Sequence, residues 1–574
     1  MTNSSLFAVG QPWPPKELKD RRRLYKFNRL LSRGEFKEAF AEYPEANKQG
    51  GSADAVMGNQ ITDQKLPYET VNWHRTINTI FADLVAGGGI AFESMTENRD
   101  SEIACRRLWS GNRGALLFWD GVFTAGRDGC AIIGIRTGKR SSVSKREEVI
   151  IERWPPEKFA PEIDDSGNVT AGNLVDVVEV MVPDPEHPSV IKHTKALKVI
   201  RHTSERIEYL AFEVKGAGSS FEVVREMEAG KKDSGWSVVW ESRTTPFDDT
   251  KIGELLFAVV PGEPSPDDWH GNNDFGHGVY NLMYTYCRRL GWIHEVLSKF
   301  ASPVWKVPVQ MVTENKKDGT YEFRVGDVIP LQRGMTADDV GVMSWEPRLE
   351  EARLSLETTK GQIFLQTDLC DGIFGLTSSG SAESGRSRKY ALMPTLRRSS
   401  RKIRHWSEAW ADILFRAQML EVSIGIEIPS KDGAQLPFAV RILKSLSNVW
   451  KLLTGQGIGF EKAEYAPERP SVKIRMGLPI DEQLIAEVAA AKFTAGLATH
   501  EQAFREANPT MEPGDVRDVV EQIREEQEAK SLRESAPNVA TRRRERKQAD
   551  LDKLRTAEPS AGRVPEERPT ATQE

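Results

Sequence analysis

The sequence predicts an α+β fold, with strand-rich and helix-rich stretches segregated along the chain. Between Glu147 and Val260 the runs VIIERW, VDVVEVMV, ALKVIRH, RIEYLAFEV, WSVVWES and ELLFAVV are short, β-branched or aromatic, and separated by acidic or Gly/Pro/Ser turns. After them come two helical stripes, about Gly276–Phe300 and Glu350–Cys370, on either side of a small β unit. A third helical pattern begins at Arg386 and carries eight basic residues and no acid as far as Arg404.

The chain starts polar and helix-leaning to about Gln64, with DRRRLYKFNRLL as a basic amphipathic piece. In NWHRTINTIFADLVAGGG, the residues Trp73, Ile77, Ile80, Phe81 and Leu84 share one helical face, and Gly87, Gly88 and Gly89 stop the helix. The strand-rich region ends in an irregular connection, Pro261 to Gly276. The first long helix shows a stripe of Tyr280, Met283, Cys287, Leu290, Ile293, Leu297 and Phe300, and Ser302-Pro303 terminates it. Asp318-Gly319, between alternating runs, predicts a hairpin. A Ser/Gly-rich loop, SSGSAESG, leads into the basic helix, where Pro394 is expected to make a kink. From Arg386 to Leu420 that helix would be about 50 Å long. Further on, Thr499 and Gln502 match a capping box, and Asp481 matches a helix N-cap. Beyond about Ser531 the chain is highly charged, and disorder is expected.

Bulk composition excludes several classes. The chain has 574 residues, enough for several domains, and its 28% charged residues are ordinary for a globular protein. No stretch approaches the roughly 18 apolar residues of a membrane span, and the start lacks the layout of a secretory signal. Cys105, Cys130, Cys287 and Cys370 lie far apart and form no CxxC pair, which predicts neither a zinc site nor a disulfide framework and points to a reducing, cytoplasmic origin. A formal net charge of -6 argues against coating nucleic acid through a general basic field.

Catalytic patterns are missing. In GIRTGKRSS only three residues separate Gly134 from Gly138, and Arg140 follows Lys139, so a phosphate loop would not close and a basic β-turn is expected. GQGIGF is a lone glycine turn, and neither HExxH nor GxSxG occurs. Asp267-Asp268 sits in a polar connection, where solvated carboxylates are the ordinary outcome. No cofactor, no metal and no catalytic residue is expected.

The order of helix, small β unit, helix, loop and long helix resembles that of the portal proteins of tailed bacteriophages, the head-to-tail connectors. The likeness runs from about Val71 to Ala529, on NWHRTINTIFADLVAGGGIAFE, NDFGHGVYNLMYTYCRRLGWIHEVLSKFASP, EARLSLETTKGQIFLQTDLC, SSGSAESGRSRKYAL and SVKIRMGLPIDEQLIAEVAAAKFTAGLATHEQAF. It departs from the family in its long β domain and in a tunnel loop richer in Gly and Ser. The resemblance implies a β-rich N-terminal wing over 1–275, stem helices over 276–301 and 349–370, and a small α/β clip over 302–348. It further implies a tunnel loop over 371–386, a long kinked helix and wing return over 387–479, and a helical crown over 480–530. A charged tail fills 531–574.

A family member would form a closed ring, usually of about twelve subunits, at one capsid vertex of the virion, assembled in the host cytoplasm. It would conduct double-stranded DNA non-specifically during packaging and ejection. Its partners would be its own copies, terminase, the major capsid or scaffold protein and a head–tail adaptor. The resemblance puts Ser378, Ser379, Ser381, Ser384, Arg386, Arg388 and Lys389 against DNA; the basic face of Arg397, Arg398, Arg401 and Lys402 reads as a solvated face or as a partner for acids of a neighbouring subunit, and the latter is expected. The alternative is another DNA-packaging, minor head or connector protein, with a terminase-like enzyme behind it.

Overall fold

The computed structural model describes residues 5–42, 71–96, 98–140, 147–183, 191–216, 220–230, 235–241, 243, 245–250, 252–265, 268–301, 305–306, 313–315, 320–322, 341–342, 349–374, 392–429, 460–477, 489–495, 499–507, 516, 519–528 and 546–553. The protein is mixed α+β. The chain divides into two compact units, Met1–Pro479 and Ile480–Glu574.

In the first unit the helices among the described residues are α1 (Lys16–Arg33), α2 (Phe36–Glu42), α3 (Trp73–Ala86), α4 (Arg99–Gly111), α5 (Gly114–Asp128), α6 (Trp236–Val239), α7 (His277–Ala301), α8 (Leu349–Gln366) and α9 (Met393–Ile424). Helix α3 begins where the Asn72 side chain accepts the Arg75 N–H at 2.9 Å, and it ends at Gly87, whose N–H reaches the Asp83 carbonyl. The glycines that stop it also admit a strand: a Cβ at Gly88 would lie 2.3 Å from the Arg475 carbonyl oxygen. Here Ile90–Glu93 pairs antiparallel with Ser471–Ile474, joining the first hundred residues to the last part of the unit.

The strand-rich region forms a seven-stranded antiparallel, curled half-barrel sheet. Its spatial order is Pro12–Trp13, Phe221–Glu226, Arg206–Lys215, Ile191–His202, Val169–Pro183 and Phe159–Ile163, with Phe247–Asp249 added beside Arg206–Lys215. Alternation along each strand gives the sheet two apolar faces. Leu197, Val199, Phe212 and Val214 meet Phe7 and Trp13 on one, while Ala196, Tyr209 and Ala211 meet Trp236, Val239 and Trp240 on the other. The expected strand WSVVWES is therefore corrected to the short helix α6. Trp236 and Trp240 stand four residues apart, and as a helical pair both indoles donate into the sheet backbone, to the Tyr209 carbonyl at 2.9 Å and the Leu210 carbonyl at 3.2 Å.

A three-stranded sheet, Phe257–Pro261, Cys130–Gly138 and Glu148–Trp154, packs under α5. Gly134 and Gly138, read as flanking a turn, both belong to the central strand, where a Cβ at Gly134 would strike the Trp154 ring. Beyond it Arg136 pairs with Glu152 and Arg140 with Glu148, both at 3.0 Å. The main core gathers α3, α4, α5, this sheet and the far half of α9, with Trp406 and Trp410 fully buried against Phe118.

Helices α7 and α8 pack together, and Arg289 donates to the Thr359 hydroxyl at 2.6 Å and the Ser355 carbonyl at 3.3 Å. Tyr280, Met283 and Cys287 of the expected stripe are buried, whereas Leu297 is 45% exposed. The segment between the helices returns on itself: Trp305–Lys306 pairs with Gly341–Val342. Within it Thr313–Asn315 pairs with Thr320–Glu322, the hairpin that Asp318-Gly319 predicts. Helix α8 stops at Gln366, four residues before the expected Cys370. Asp368 takes a left-handed φ of 55° and the Leu369 N–H reaches back to the Phe364 carbonyl, a C-terminal cap.

In the second unit Thr499 and Gln502 cap the His500–Ala507 helix reciprocally, at 3.0 and 3.2 Å. Residues 546–553 are helical, inside the tail expected to be disordered, where Arg546, Lys547, Gln548, Ala549 and Leu551 are all good helix formers. Asp481 lies outside the described residues. No helix among the described residues is long and apolar enough to cross a membrane.

Candidate functional site

A polar part of the interior lies where the first turns of α9 meet the start of α7 and the end of α8. The buried positions of α9 recur every three or four residues: Thr395, Arg398, Ser399, Lys402, Trp406, Trp410, Ile413, Leu414 and Ala417. The far part of this stripe is apolar and joins the main core. Its near part buries a guanidinium and an ammonium, each with a side chain only 5% exposed.

Burial of two cations requires an anion, and Asp274 supplies it, with its side chain 1% exposed. Lys402 Nζ donates to Asp274 Oδ1 at 2.6 Å and to the Gly262 carbonyl at 3.2 Å. Arg398 donates to the same Oδ1 at 3.2 Å. The Asp274 N–H is fixed by the Gly126 carbonyl at 2.8 Å. Burial acts to raise the carboxyl pKa, but the neighbouring Lys402 and Arg398 charges outweigh it and hold the group below the usual carboxylate range. Both cations also lie over the Phe81 ring of α3, at 5.2 and 5.5 Å. Gly126 leaves the room this cluster needs, since a Cβ there would lie 2.4 Å from Asp274 Oδ2. His74, on α3, is stacked on Phe275 at 4.3 Å, and burial with the nearby Arg127 charge pushes its pKa down to about 3.

Toward solvent the contacts lengthen. Glu263 stands 3.4 Å from Arg398 and 3.6 Å from Arg401, and Asp368 stands 3.9 and 3.6 Å from the same two. The Thr395 hydroxyl donates to the Asp368 carbonyl at 2.6 Å. Three turns of α9 thus hold residues just before α7 and just after α8.

Farther along, Glu421 of α9 accepts two bonds from Arg107, at 2.6 and 2.5 Å, and one from the Tyr465 hydroxyl at 2.7 Å. Gln418 accepts from the Ser101 hydroxyl at 2.9 Å. Glu468 gathers the Ser94 and Thr96 hydroxyls and the Met95 and Thr96 N–H groups, between 2.6 and 3.0 Å. The Glu421 and Gln418 bonds fasten α4 and Tyr465 to α9, and the Glu468 bonds tie its own segment to residues 94–96.

The structure corrects two expectations. Arg398 and Lys402, assigned to a neighbouring subunit, are consumed inside the chain by Asp274, because they continue the buried stripe; Arg397 and Arg401 remain on the exposed face. Pro394 does not kink the helix. Leu392 is the N-cap, so the proline lies in the first turn, where its missing N–H forfeits no hydrogen bond. Ser378, Ser379, Ser381, Ser384, Arg386, Arg388 and Lys389 lie outside the described residues. Asp268 of the acidic pair is engaged by Arg21 at 2.6 Å, and among the described residues no group of three His, Cys, Asp or Glu could hold a metal.

Sequence reasoning did not single out Asp274, Glu263, Asp368 or His74. A signal for the cations existed: stepping back from Trp410 and Trp406 by four residues arrives at Lys402 and then Arg398. Nothing comparable marks Asp274, whose partners lie 124 and 128 residues away. No protein-family model and no curated protein sequence matches the chain.

Proposed function

We propose that the chain is a subunit of a portal-type ring, a closed homo-oligomer that conducts double-stranded DNA through a capsid vertex and catalyses no reaction itself. The observation that carries this reading is the arrangement of α7, α8 and α9. Two long helices, about 37 and 27 Å at 1.5 Å per residue, pack together and are joined through a segment whose ends pair with each other. Both are anchored at their near ends by the buried charge cluster of α9. Such a helix pair suits a channel wall because it is fixed at one end and carries its insertion at the other.

In this reading the paired segment 302–348 is the clip, where terminase and later a head–tail adaptor dock, and the strand-rich domain is the wing. The second unit is the crown, and the exposed Arg397 faces a neighbouring subunit. Closure comes from a head-to-tail interface repeated around an axis, with about twelve subunits. A net acidic subunit keeps the duplex from being trapped on its way through.

Electron microscopy of the purified full chain at moderate salt tests this. Annular particles with a central hole are the expected result. Monomers or dimers at every concentration, with and without co-expressed capsid or scaffold protein, would reject it, as would sustained ATP turnover by the purified chain.

A further inference from the structure

On the solvent side of the buried cluster, between α9 and the Glu263–Ser265 strand, lies a cavity of about 240 Å³. Its walls are Gly262, Glu263, Pro264, Arg398, Arg401, Lys402 and His405. Three of these side chains are cationic. Burial and the Arg404 charge lower the pKa of His405, so at neutral pH its ring offers polar atoms without charge.

The cations are unevenly satisfied. Lys402 spends its short bond on Asp274. The contacts of Arg398 and Arg401 with Glu263, at 3.4 and 3.6 Å, are long beside the roughly 2.7–2.9 Å of a charge-assisted bond. Asp368 is no closer, at 3.9 and 3.6 Å. The Nε of Arg398 is fully buried and has no hydrogen-bond partner among the described residues, a donor left over in a side chain that is itself 5% exposed. Glu263 is 41% exposed. Arg397 and Arg404 flank Arg401 one turn to either side on the exposed face, and neither is paired with a carboxylate among the described residues.

We infer that this cavity is a site for a phosphoryl oxyanion, with the Glu263 carboxylate as a loosely held internal stand-in that the incoming group displaces. The chemistry favours a tetrahedral oxyanion over a second carboxylate. Two guanidiniums can present N–H groups from separate directions, and a phosphoryl group offers several acceptor oxygens at once. The volume also exceeds what a lone carboxylate fills. Glu263 keeps the empty site close to neutral, since Arg398, Arg401 and Lys402 face Asp274, Glu263 and Asp368. Occupancy is therefore weak and reversible. The inference does not depend on ring formation.

The test uses the full chain in phosphate-free buffer, titrated calorimetrically with inorganic phosphate against chloride of equal ionic strength. Wild type should bind phosphate, and Glu263→Gln, which removes the competing charge, should bind it about tenfold more tightly. Arg401→Ala should bind about tenfold more weakly. Arg401 is 55% exposed, so its removal spares the fold, and circular dichroism checks this. A short DNA duplex then separates two sources of the phosphoryl group. Duplex binding that follows the same order of variants and is competed by phosphate assigns the site to a nucleic-acid backbone. Phosphate binding without duplex binding assigns it to a small phosphate. Phosphate indistinguishable from chloride on both wild type and Glu263→Gln overturns the inference, as does undiminished binding by Arg401→Ala.

Discussion

Replacing Asp274 by asparagine keeps the shape of the buried cluster and removes its central charge. Lys402 loses a 2.6 Å charge-assisted bond and Arg398 a 3.2 Å one, while both cations stay in the interior. The remaining anions, Glu263 and Asp368, are 41% and 42% exposed and lie 3.4 to 3.9 Å from Arg398, so they compensate little. Breaking a buried pair in this way costs about 3–5 kcal/mol. The cluster holds the first turns of one helix, so local opening is the direct readout. Amide hydrogen exchange of residues 393–406 and 73–86 should accelerate by roughly two to nearly four orders of magnitude, at about 1.4 kcal/mol per tenfold. Adding Lys402→Met removes one of the stranded cations, so the double variant should exchange more slowly than Asp274→Asn alone, with a coupling of at least about 1.5 kcal/mol. Acceleration of less than tenfold, or strict additivity of the two substitutions, would refute the view that this cluster anchors α9.

Three more outcomes are expected. Burial lowers the pKa of His74 to about 3 and of His202 and His270 to about 4. Each ring is neutral in the fold and takes up a proton on unfolding below its ordinary value of about 6.5. Their contribution is therefore complete above that pH and is lost as pH falls toward 4, by about 1.4 kcal/mol per pH unit per histidine. A urea midpoint that stays level between pH 7 and 5 would contradict this. Gly121→Ala should destabilise by about 1–3 kcal/mol despite the better helix propensity, because the new Cβ would lie 2.6 Å from the Trp406 ring; an unchanged midpoint would show that the tryptophan yields. Of the four free thiols Cys370 alone is not fully buried, and burial raises the pKa of Cys105 to about 12, so native titration with a thiol reagent should label Cys370 first.

Local signals carried much of the architecture. The basic amphipathic piece DRRRLYKFNRLL lies within α1, the glycine run ends α3, Asp318-Gly319 sits between paired strands, and Thr499 caps with Gln502. Each of these depends on residues within a few positions of one another, which periodicity and turn chemistry can read. WSVVWES misled because two tryptophans four apart satisfy a helix, while the β-branched residues between them suggest a strand; only the sheet backbone that accepts their indole N–H groups decides. The charge cluster was less legible still. A run of eight basic residues looks like one solvated face, yet helical geometry sends Arg397, Arg401 and Arg404 outward while Arg398 and Lys402 turn in. Asp274 is invisible without the fold, since nothing near it in sequence explains why a carboxylate must be buried there.

The pairing of Ile90–Glu93 with Ser471–Ile474 also imposes a timetable on synthesis. About 380 residues separate the two strands, which at 5–20 residues per second is roughly 20–75 s of translation. Throughout that interval the earlier strand lacks the Ser471–Ile474 strand, and the core that α9 completes stands open beside it. A nascent chain in this state offers a bare strand edge to its neighbours on the same message. Any truncation before Ser471 would leave that edge bare permanently, so premature stop products of this protein belong to the aggregating fraction of the cell rather than to its pool of usable fragments.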